Sequence, residues 1–225
     1  ELVLAEKYYK EKYPRGNCIL NLPLLNEKLI HHDHGDKPIE NKVIYTGNVT
    51  VERGALIHPT LPLIDDELSV HLIGRCPRKF ADRMYEIAGK KKNHILIEGI
   101  DRYIPKADID EAYVSRRWLA GIALFPPTDH YMKKELTKFF EYMAAGLPII
   151  CSNFPVWKEF VQTYECGIAV DPYDEKEIKE ALDYLRENED TAMKMGKNGK
   201  RAVMENLNWQ VEEKKLIQWY EEIGK

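Results

Sequence analysis

The stretch KVIYTG (residues 42–47) is a short apolar run, and five more runs of this kind follow it along the chain. They are SVHLIG (69–74), HILIEG (94–99), LAGIALF (119–125), LPIICS (147–152) and GIAV (167–170). Their apolar character is nearly continuous rather than alternating, which is typical of strands buried on both faces of a parallel sheet. We therefore predict that these runs form one parallel sheet.

The stretches between the runs have helical periodicity, as in residues 77–88, 107–118 and 135–145. Strand, helix and strand in alternation predict an α/β domain with a doubly wound parallel sheet over about residues 42–162. After Val170 the strand pattern ends and three helical segments follow. We expect these C-terminal helices to cover the sheet or to cross to a neighbouring domain.

Two residues mark where the C-terminal helices should begin. Asp174, with Glu177 three residues later, has the pattern of a capping box. Asn208 is positioned to cap the last helix.

The start of the chain has a different character. Residues 1–13 are predicted to form one amphipathic helix, residues 18–25 (CILNLPLL) a strand, and the polar residues 26–42 an exposed linker. One helix and one strand cannot close a core, so we expect residues 1–41 to be the tail of a preceding domain plus a linker. The histidine-rich stretch HHDHGD (31–36) is expected to be solvated, because such short tracts are only compositional hints of metal binding.

Composition excludes several classes of protein. The 225 residues include 33 Lys and Arg against 37 Asp and Glu, a net charge of −4 that argues against a nucleic-acid binder. No apolar run approaches the roughly 20 residues that span a bilayer. The four cysteines (Cys18, Cys76, Cys151 and Cys166) are widely spaced, which favours free, buried thiols in a reducing compartment.

Ligands of an open parallel sheet bind at the carboxyl ends of its strands. None of the loops there carries the GxGxxG, GxxxxGK[ST] or GxSxG motif, which argues against dinucleotide binding, a P-loop and a nucleophile elbow. The loop after residues 42–47 ends its strand at Gly47, and a helix is predicted to follow with Arg53 and Gly54 at its opening. An anion could bind at that helix start, with the guanidinium adding donors, although a plain turn with a surface arginine explains the pattern as well.

A second loop leads to a helix that should start at Leu136 or Thr137, with Thr137 able to cap it and Lys138 in its first turn. Glu141 lies on the same face as Thr137, about 6 Å further along the axis. A diphosphate at the start of this helix would place its ribose near that carboxylate, a group that commonly accepts ribose hydroxyls. The alternative is a helix glutamate that pairs with a neighbouring base.

Three stretches, TKFFEYMAAGLPIICSNFPVWKEFV (137–161), CGIAVDPYDEKEIKEAL (166–182) and MGKNGKRAVMENLNWQVEEKKLIQWYEEI (195–223), resemble the donor-binding half of family 4 retaining glycosyltransferases. YTGNVTVERG (45–54) resembles the first strand and phosphate loop of that family, and NLPLL (21–25) the segment before its interdomain crossing. The resemblance extends from Glu1 to about Ile223.

The resemblance implies the GT-B architecture, in which two Rossmann-like domains face a cleft and the second binds the nucleotide sugar. Residues 42–205 would be that donor domain, and residues 206–225 a helix that crosses back toward the acceptor domain. It further implies transfer of a sugar from a UDP- or GDP-sugar to a saccharide or lipid-linked acceptor, with retention and without a metal or other cofactor. Many relatives build bacterial surface polysaccharides at the cytoplasmic face of the membrane, so a cytoplasmic enzyme with peripheral membrane contact is expected, inactive as this fragment alone.

The resemblance also implies roles for single residues. Glu141 matches the second, ribose-binding glutamate of the family's E-x7-E motif, and Thr137 and Lys138 match residues near the phosphates. Gly47 matches the glycine of the first loop, and Arg53 stands where the family usually has a phosphate-binding lysine. Tyr103 falls where the nucleobase is commonly held.

Two positions depart from the family pattern. Lys133 stands where the first glutamate is expected, and Asn48 replaces the usual arginine of the first loop. Tyr131, Lys133 and Glu135 are therefore all candidates to face the donor sugar, with Lys133 and Glu135 the candidates for catalysis. One hypothesis is that Lys133 neutralises phosphate charge that Asn48 cannot.

Two other functions remain open. One is a GT-B relative with different chemistry, such as a nucleotide-sugar 2-epimerase. The other is a non-catalytic sugar-nucleotide-binding domain, which the missing first glutamate allows. The residues leave the sugar, the base and the acceptor open.

Overall fold

Six parallel strands form one sheet in the order β3-β2-β1-β4-β5-β6. The computed structural model describes residues 10–14, 16, 18–35 and 37–223, the side chain of residue 223 excepted. The strands are β1 (Glu40–Thr46), β2 (Ser69–Cys76), β3 (Ile95–Ile100), β4 (Trp118–Ala123), β5 (Ile149–Ser152) and β6 (Gly167–Val170). The predicted Rossmann-like, doubly wound parallel sheet is confirmed, since each predicted run contains a strand.

Helices pack on both faces of this sheet. They are α1 (Glu27–His31), α2 (Leu61–Ile64), α3 (Arg78–Ala88), α4 (Lys106–Ser115), α5 (Thr137–Ala144), α6 (Pro155–Thr163), α7 (Glu175–Glu187), α8 (Glu189–Glu205) and α9 (Trp209–Ile223). Short 3-10 turns lie at Val51–Arg53, His58–Thr60, Gly89–His94 and Tyr131–Lys133. The strand order reverses between β1 and β4. The connections that leave the carboxyl ends of these two neighbouring strands therefore run toward opposite halves of the sheet, which leaves a crevice between them.

The C-terminal helices begin where the sequence predicts. The Asp174 carboxylate accepts hydrogen bonds from the backbone N–H groups of Lys176 (2.9 Å) and Glu177 (3.1 Å) at the start of α7. The capping box is incomplete, because the Glu177 carboxylate accepts from the backbone of Asp171 (2.8 Å) instead of Asp174. The Asn208 side chain accepts from the backbone N–H of Val211 (3.1 Å), as expected for the last helix.

The strand predicted at residues 18–25 is wrong. The chain there joins no sheet, and three of its backbone groups pair with α9 instead. The backbone N–H of Leu20 donates to the Glu212 carboxylate (2.9 Å), and the carbonyl of Pro23 accepts from Trp209 (2.8 Å). Pro23 has no backbone N–H to donate to a neighbouring strand. The segment therefore contacts the start of α9 instead of joining the sheet. Of the predicted helix 1–13, residues 1–9 lie outside the described residues.

The linker predicted for residues 26–42 is also wrong in part. It holds the helix α1, whose residues Leu29 and Ile30 are buried, and the strand β1 begins inside it. The Asn26 side chain accepts from the backbone N–H of Leu29 (3.3 Å), and Lys28 pairs with Glu111 of α4 (2.5 Å). Asn26 and Lys28 therefore act as a helix cap and a surface charge. The expectation that HHDHGD (31–36) is solvated holds only in part, because His32 and His34 are half-buried.

Three further expectations concern single features. Cys76, Cys151 and Cys166 are free and buried, and Cys18 is half-buried. Within the described ranges, no helix is both long and apolar enough to span a bilayer. No three His, Cys, Asp or Glu side chains of the described part of the chain are grouped closely enough to hold a metal ion.

Candidate functional site

A cavity of about 330 Å³ opens at the carboxyl ends of β1 and β4, where the strand order reverses. This is the position at which open parallel sheets bind their ligands. The cavity is lined by seven residues that the sequence analysis selected, namely Gly47, Arg53, Tyr131, Glu135, Thr137, Lys138 and Glu141. It is also lined by six that the analysis missed, namely Thr46, Ile109, Phe125, His130, Lys134 and Leu136.

Three predicted site residues do not line the cavity. Tyr103 is 75% exposed, in the turn that precedes α4. Asn48 is exposed, although its backbone carbonyl accepts from the Tyr45 hydroxyl (2.8 Å). Lys133 is exposed on the turn before α5, whereas its neighbour Lys134 lines the cavity.

One end of the cavity is cationic. A Cβ atom added at Gly47, whose φ is +109°, would lie 3.8 Å from Lys138 Nζ and 4.0 Å from Arg53 Nη1. The helix α5 also starts here, and its first N–H groups and dipole favour an anion. Two cations and a helix N-terminus thus meet over a glycine that leaves room for a ligand.

Thr137 does not cap α5, contrary to prediction. The N-cap is Leu136, which makes no side-chain cap, and Thr137 is the first helical residue. Its exposed side chain lines the cavity instead. The start of α5 therefore keeps backbone donors available for a ligand.

Lys138 has an unfavourable setting for a positive charge. Its Nζ donates to the backbone carbonyl of Thr46 (2.9 Å) and lies 3.6 Å from the ring centroid of Tyr45 and 5.0 Å from that of Phe125. Burial of the ammonium, and next the Arg53 guanidinium, lower the pKa of Lys138 well below its usual range, and Glu141 opposes them. An anion bound between Lys138 and Arg53 would relieve this repulsion.

The other end of the cavity is acidic. Glu141 lies one turn along α5 from Lys138, and its side chain is 24% exposed. Its Oε2 accepts from the Tyr113 hydroxyl (2.9 Å), and its Oε1 lies 3.3 Å from Lys106 Nζ. Both partners belong to α4, so the carboxylate of Glu141, which projects from α5, is held by a second helix.

The segment that carries Glu135 is fixed by α6. The indole N–H of Trp157 donates to the backbone carbonyl of Lys134 at 2.5 Å, and Trp157 itself is fully buried. Its ring packs edge-on against Phe139 of α5 at 5.4 Å. Glu135 consequently has a defined position at the cavity although it belongs to a loop.

The helix predicted to open at Arg53 and Gly54 is wrong. Val51–Arg53 is a single 3-10 turn that Gly54 ends at a φ of +84°. A Cβ at Gly54 would lie 2.2 Å from the carbonyl oxygen of Leu124 and 2.7 Å from His58 Nε2. This close approach to the end of β4 turns the loop back and aims Arg53 at Tyr131, whose hydroxyl accepts from Arg53 Nε (2.8 Å).

His58 is a buried polar residue that the sequence analysis missed. It is fully buried behind the Arg53 turn, and its ring lies 4.9 Å from that of Tyr45. Neither ring nitrogen has a hydrogen-bond partner among the described residues. Burial lowers the pKa of His58 to about 3, so the folded protein holds the neutral ring.

We expect His58 to make the protein sensitive to acid. The pKa of His58 is lower in the folded than in the unfolded chain, so the unfolded chain binds the extra proton and stability falls as the pH falls from 6.5 toward about 3. Between about pH 7 and pH 5 this proton lowers the free energy of unfolding by about 2 kcal/mol. Urea unfolding of the wild type and His58→Phe at both values tests this. An equal loss in both proteins would contradict it.

Comparisons with known proteins agree with this fold. The family model for glycosyl transferases group 1 matches residues 65–202. The solved structure of sucrose-phosphate synthase from Thermosynechococcus elongatus matches with a TM-score of 0.67 and 18% identity, over 97% of this chain and 56% of that one. A glycosyltransferase from Rickettsia africae matches with a TM-score of 0.65 and 18% identity, over 99% of this chain and 52% of that one.

A third similar structure contains a nucleotide. It is the Anabaena protein HepE in complex with UDP, with a TM-score of 0.67 and 12% identity, over 81% of this chain and 49% of that one. This chain thus spans about half the length of these proteins, and identities this low show a shared fold only. No curated protein sequence matches the chain.

Proposed function

The chain belongs to the glycosyl transferases group 1 family, and from that membership we propose that it is the donor-binding domain of a retaining hexosyltransferase that uses a UDP- or GDP-sugar. The observation that carries this proposal is the polarity of the cavity. Arg53 and Lys138 form its cationic end, where the strand order reverses. The carboxylate of Glu141 lies one helical turn from Lys138 along α5.

A nucleoside diphosphate has the complementary polarity. Its phosphates would lie over Gly47, between Lys138, Arg53 and the start of α5. Its ribose hydroxyls would then donate to Glu141, about 4.5 Å further along the helix axis. The UDP complex of the Anabaena protein, which has the same fold, supports this choice of ligand.

The charge at the phosphate end suggests how the reaction would be promoted. Cleavage of the bond between the sugar and the diphosphate leaves negative charge on the departing nucleotide. Arg53 and Lys138, fixed in place before the reaction, would stabilise that charge without a bound metal ion.

We further propose that a preceding domain binds a saccharide or lipid-linked acceptor. The protein would act in the cytoplasm, in bacterial surface polysaccharide synthesis, with peripheral membrane contact.

Glu135 is our candidate for the contact with the donor sugar. Lys133 occupies the position expected for a glutamate but is exposed outside the cavity, whereas Glu135 lines it. We expect Glu135→Gln to weaken the binding of UDP- or GDP-glucose about tenfold, because hydrogen bonds to a charged group are worth about 1.5 kcal/mol or more. The affinity for UDP and GDP should stay the same. Calorimetric titration with UDP and UDP-glucose, and with GDP and GDP-glucose, measures these affinities. If Glu135→Gln lowered the affinity for the sugar nucleotide and for the nucleotide equally, the assignment would be contradicted.

A non-catalytic sugar-nucleotide-binding domain is the second candidate, favoured by the lysine at position 133. It predicts the same nucleotide binding. The two differ in whether the bound sugar is activated, so they are separated by release of free UDP or GDP from the sugar nucleotide, measured on the full-length protein. Release that Glu135→Gln abolishes would favour the enzyme.

Thermal unfolding tests the proposal as a whole. A ligand that binds only the folded chain stabilises it by about 2.7 kcal/mol at a hundred times its Kd, which raises Tm by about 5 to 10 °C for a chain of this size. We expect this rise with UDP, GDP or their sugars. Glucose 1-phosphate, which lacks the nucleoside, should give much less. No rise with any nucleotide would count against the proposal.

A further inference from the structure

Tyr113 of α4 links the two ends of the cavity. It is fully buried, and its hydroxyl lies 2.6 Å from Thr46 Oγ1 and 2.9 Å from Glu141 Oε2. A carboxylate can only accept, so the single hydroxyl proton of Tyr113 goes to Glu141, and Thr46 donates to Tyr113. The chain of donors therefore runs from Thr46 through Tyr113 to Glu141.

Thr46 connects this chain to the cationic end. Its backbone carbonyl accepts from Lys138 Nζ (2.9 Å), and Gly47 follows it directly. The end of β1 therefore sets the positions of both the proposed phosphate ligand Lys138 and, through Tyr113, the carboxylate of Glu141.

Among the described residues, the side chain of Glu141 is held by α4. A carboxylate offers about four lone-pair sites, and Tyr113 and Lys106 approach the two oxygens from α4. Lys106 also pairs with Asp110, so its ammonium is shared between two carboxylates. Tyr113 is thus the neutral, buried donor that keeps Glu141 facing the cavity while leaving its other lone pairs for a ligand.

We propose that Tyr113 is a positioning residue that orients Glu141 to read both ribose hydroxyls, so that this chain prefers ribonucleotides to 2′-deoxyribonucleotides. The inference rests on the proposed function, because it concerns the ribose of the same nucleotide. The helix α4, which carries Tyr113, would thereby contribute to selecting the sugar of the nucleotide.

The test compares Tyr113→Phe with Tyr142→Phe. Tyr142 is equally buried, its ring centroid lies 5.9 Å from that of Tyr113, and its hydroxyl donates to the backbone carbonyl of Ile122 (3.1 Å). Both changes remove one buried hydroxyl, but only Tyr113→Phe removes a donor to Glu141. Thr46→Val is the second variant, because it removes the donor to Tyr113 and leaves Tyr113 itself in place.

The readout is the ratio of affinities for UDP and 2′-deoxy-UDP, and for GDP and 2′-deoxy-GDP. We expect the wild type to prefer the ribonucleotide by about tenfold, the value of one hydrogen bond to a charged group. Tyr113→Phe should lower this ratio about fivefold by weakening ribonucleotide binding, and Thr46→Val should lower it less. Tyr142→Phe, whose hydroxyl interacts with Thr46 but does not hydrogen-bond Glu141, should change the ratio less than Tyr113→Phe does.

Two results would overturn the proposal in distinguishable ways. A wild-type ratio that survives in both Tyr113→Phe and Thr46→Val would refute the positioning role and leave nucleotide binding intact. Absence of binding of all four nucleotides to the wild type would refute the proposed function itself.

Discussion

Replacing Lys138 by methionine should lower the affinity for UDP and GDP about a hundredfold. The ammonium of Lys138 lies beside the space over Gly47 where the phosphates are proposed to bind, and a charged hydrogen bond of about 3 kcal/mol there corresponds to this factor. Methionine keeps the apolar contact with Tyr45 and Phe125 but removes the charge. Calorimetric titration of the variant with UDP and GDP measures the loss.

The same variant should fold with a stability close to that of the wild type. Burial disfavours the ammonium of Lys138, as the direction of its pKa shift indicates. The substitution also removes the hydrogen bond of Nζ to the Thr46 carbonyl (2.9 Å) and its contact with the Tyr45 ring (3.6 Å), which offsets that gain. Lys158→Met, at an exposed position of α6, is the control and should change neither affinity nor the free energy of unfolding. If Lys138→Met destabilised the fold while nucleotide affinity stayed unchanged, Lys138 would be a structural residue and not a phosphate ligand.

Glu141→Ala is expected to lower nucleotide affinity about a hundredfold, since it removes the acceptor of both ribose hydroxyls and each hydrogen bond to this charged group is worth about tenfold in affinity. The fold should tolerate the change. Lys106 retains Asp110 as a partner, and the Tyr113 hydroxyl retains Thr46. Glu159→Ala, on the exposed side of α6, is the matched control and should bind like the wild type. Equal affinities of Glu141→Ala and this control would remove Glu141 from the site.

The sheet could be predicted from the sequence because its strands are buried on both faces. Val43, Ile44 and Tyr45 of β1 are all fully buried, and such uninterrupted apolar runs are typical of strands covered on both faces. The segment at residues 18–25 has a similar pattern but different partners. Its backbone pairs with Glu212 and Trp209 of α9, nearly 200 residues away, which local pattern cannot reveal.

The cavity could be predicted in part for a related reason. Parallel strands bring the loops after β1 and β4 to one edge of the sheet, so Gly47 and the start of α5 had to lie near one another. The residues that hold these site residues in place lie on other elements of the fold. Tyr113 and Lys106 reach Glu141 from α4, and His58 packs behind the Arg53 turn. Their contribution depends on how helices and turns pack across the sheet, for which no local sequence signal exists.

Titration calorimetry of the wild-type chain with UDP, GDP and ADP tests the central claim most directly, which is that the cavity between β1 and β4 binds a nucleoside diphosphate. We predict saturable binding of at least one of these nucleotides with a Kd in the micromolar range, and the one that binds most tightly identifies the base. Competition between the bound nucleotide and its sugar derivative should be complete. No measurable binding of any of the three at millimolar concentration would contradict the assignment of this cavity.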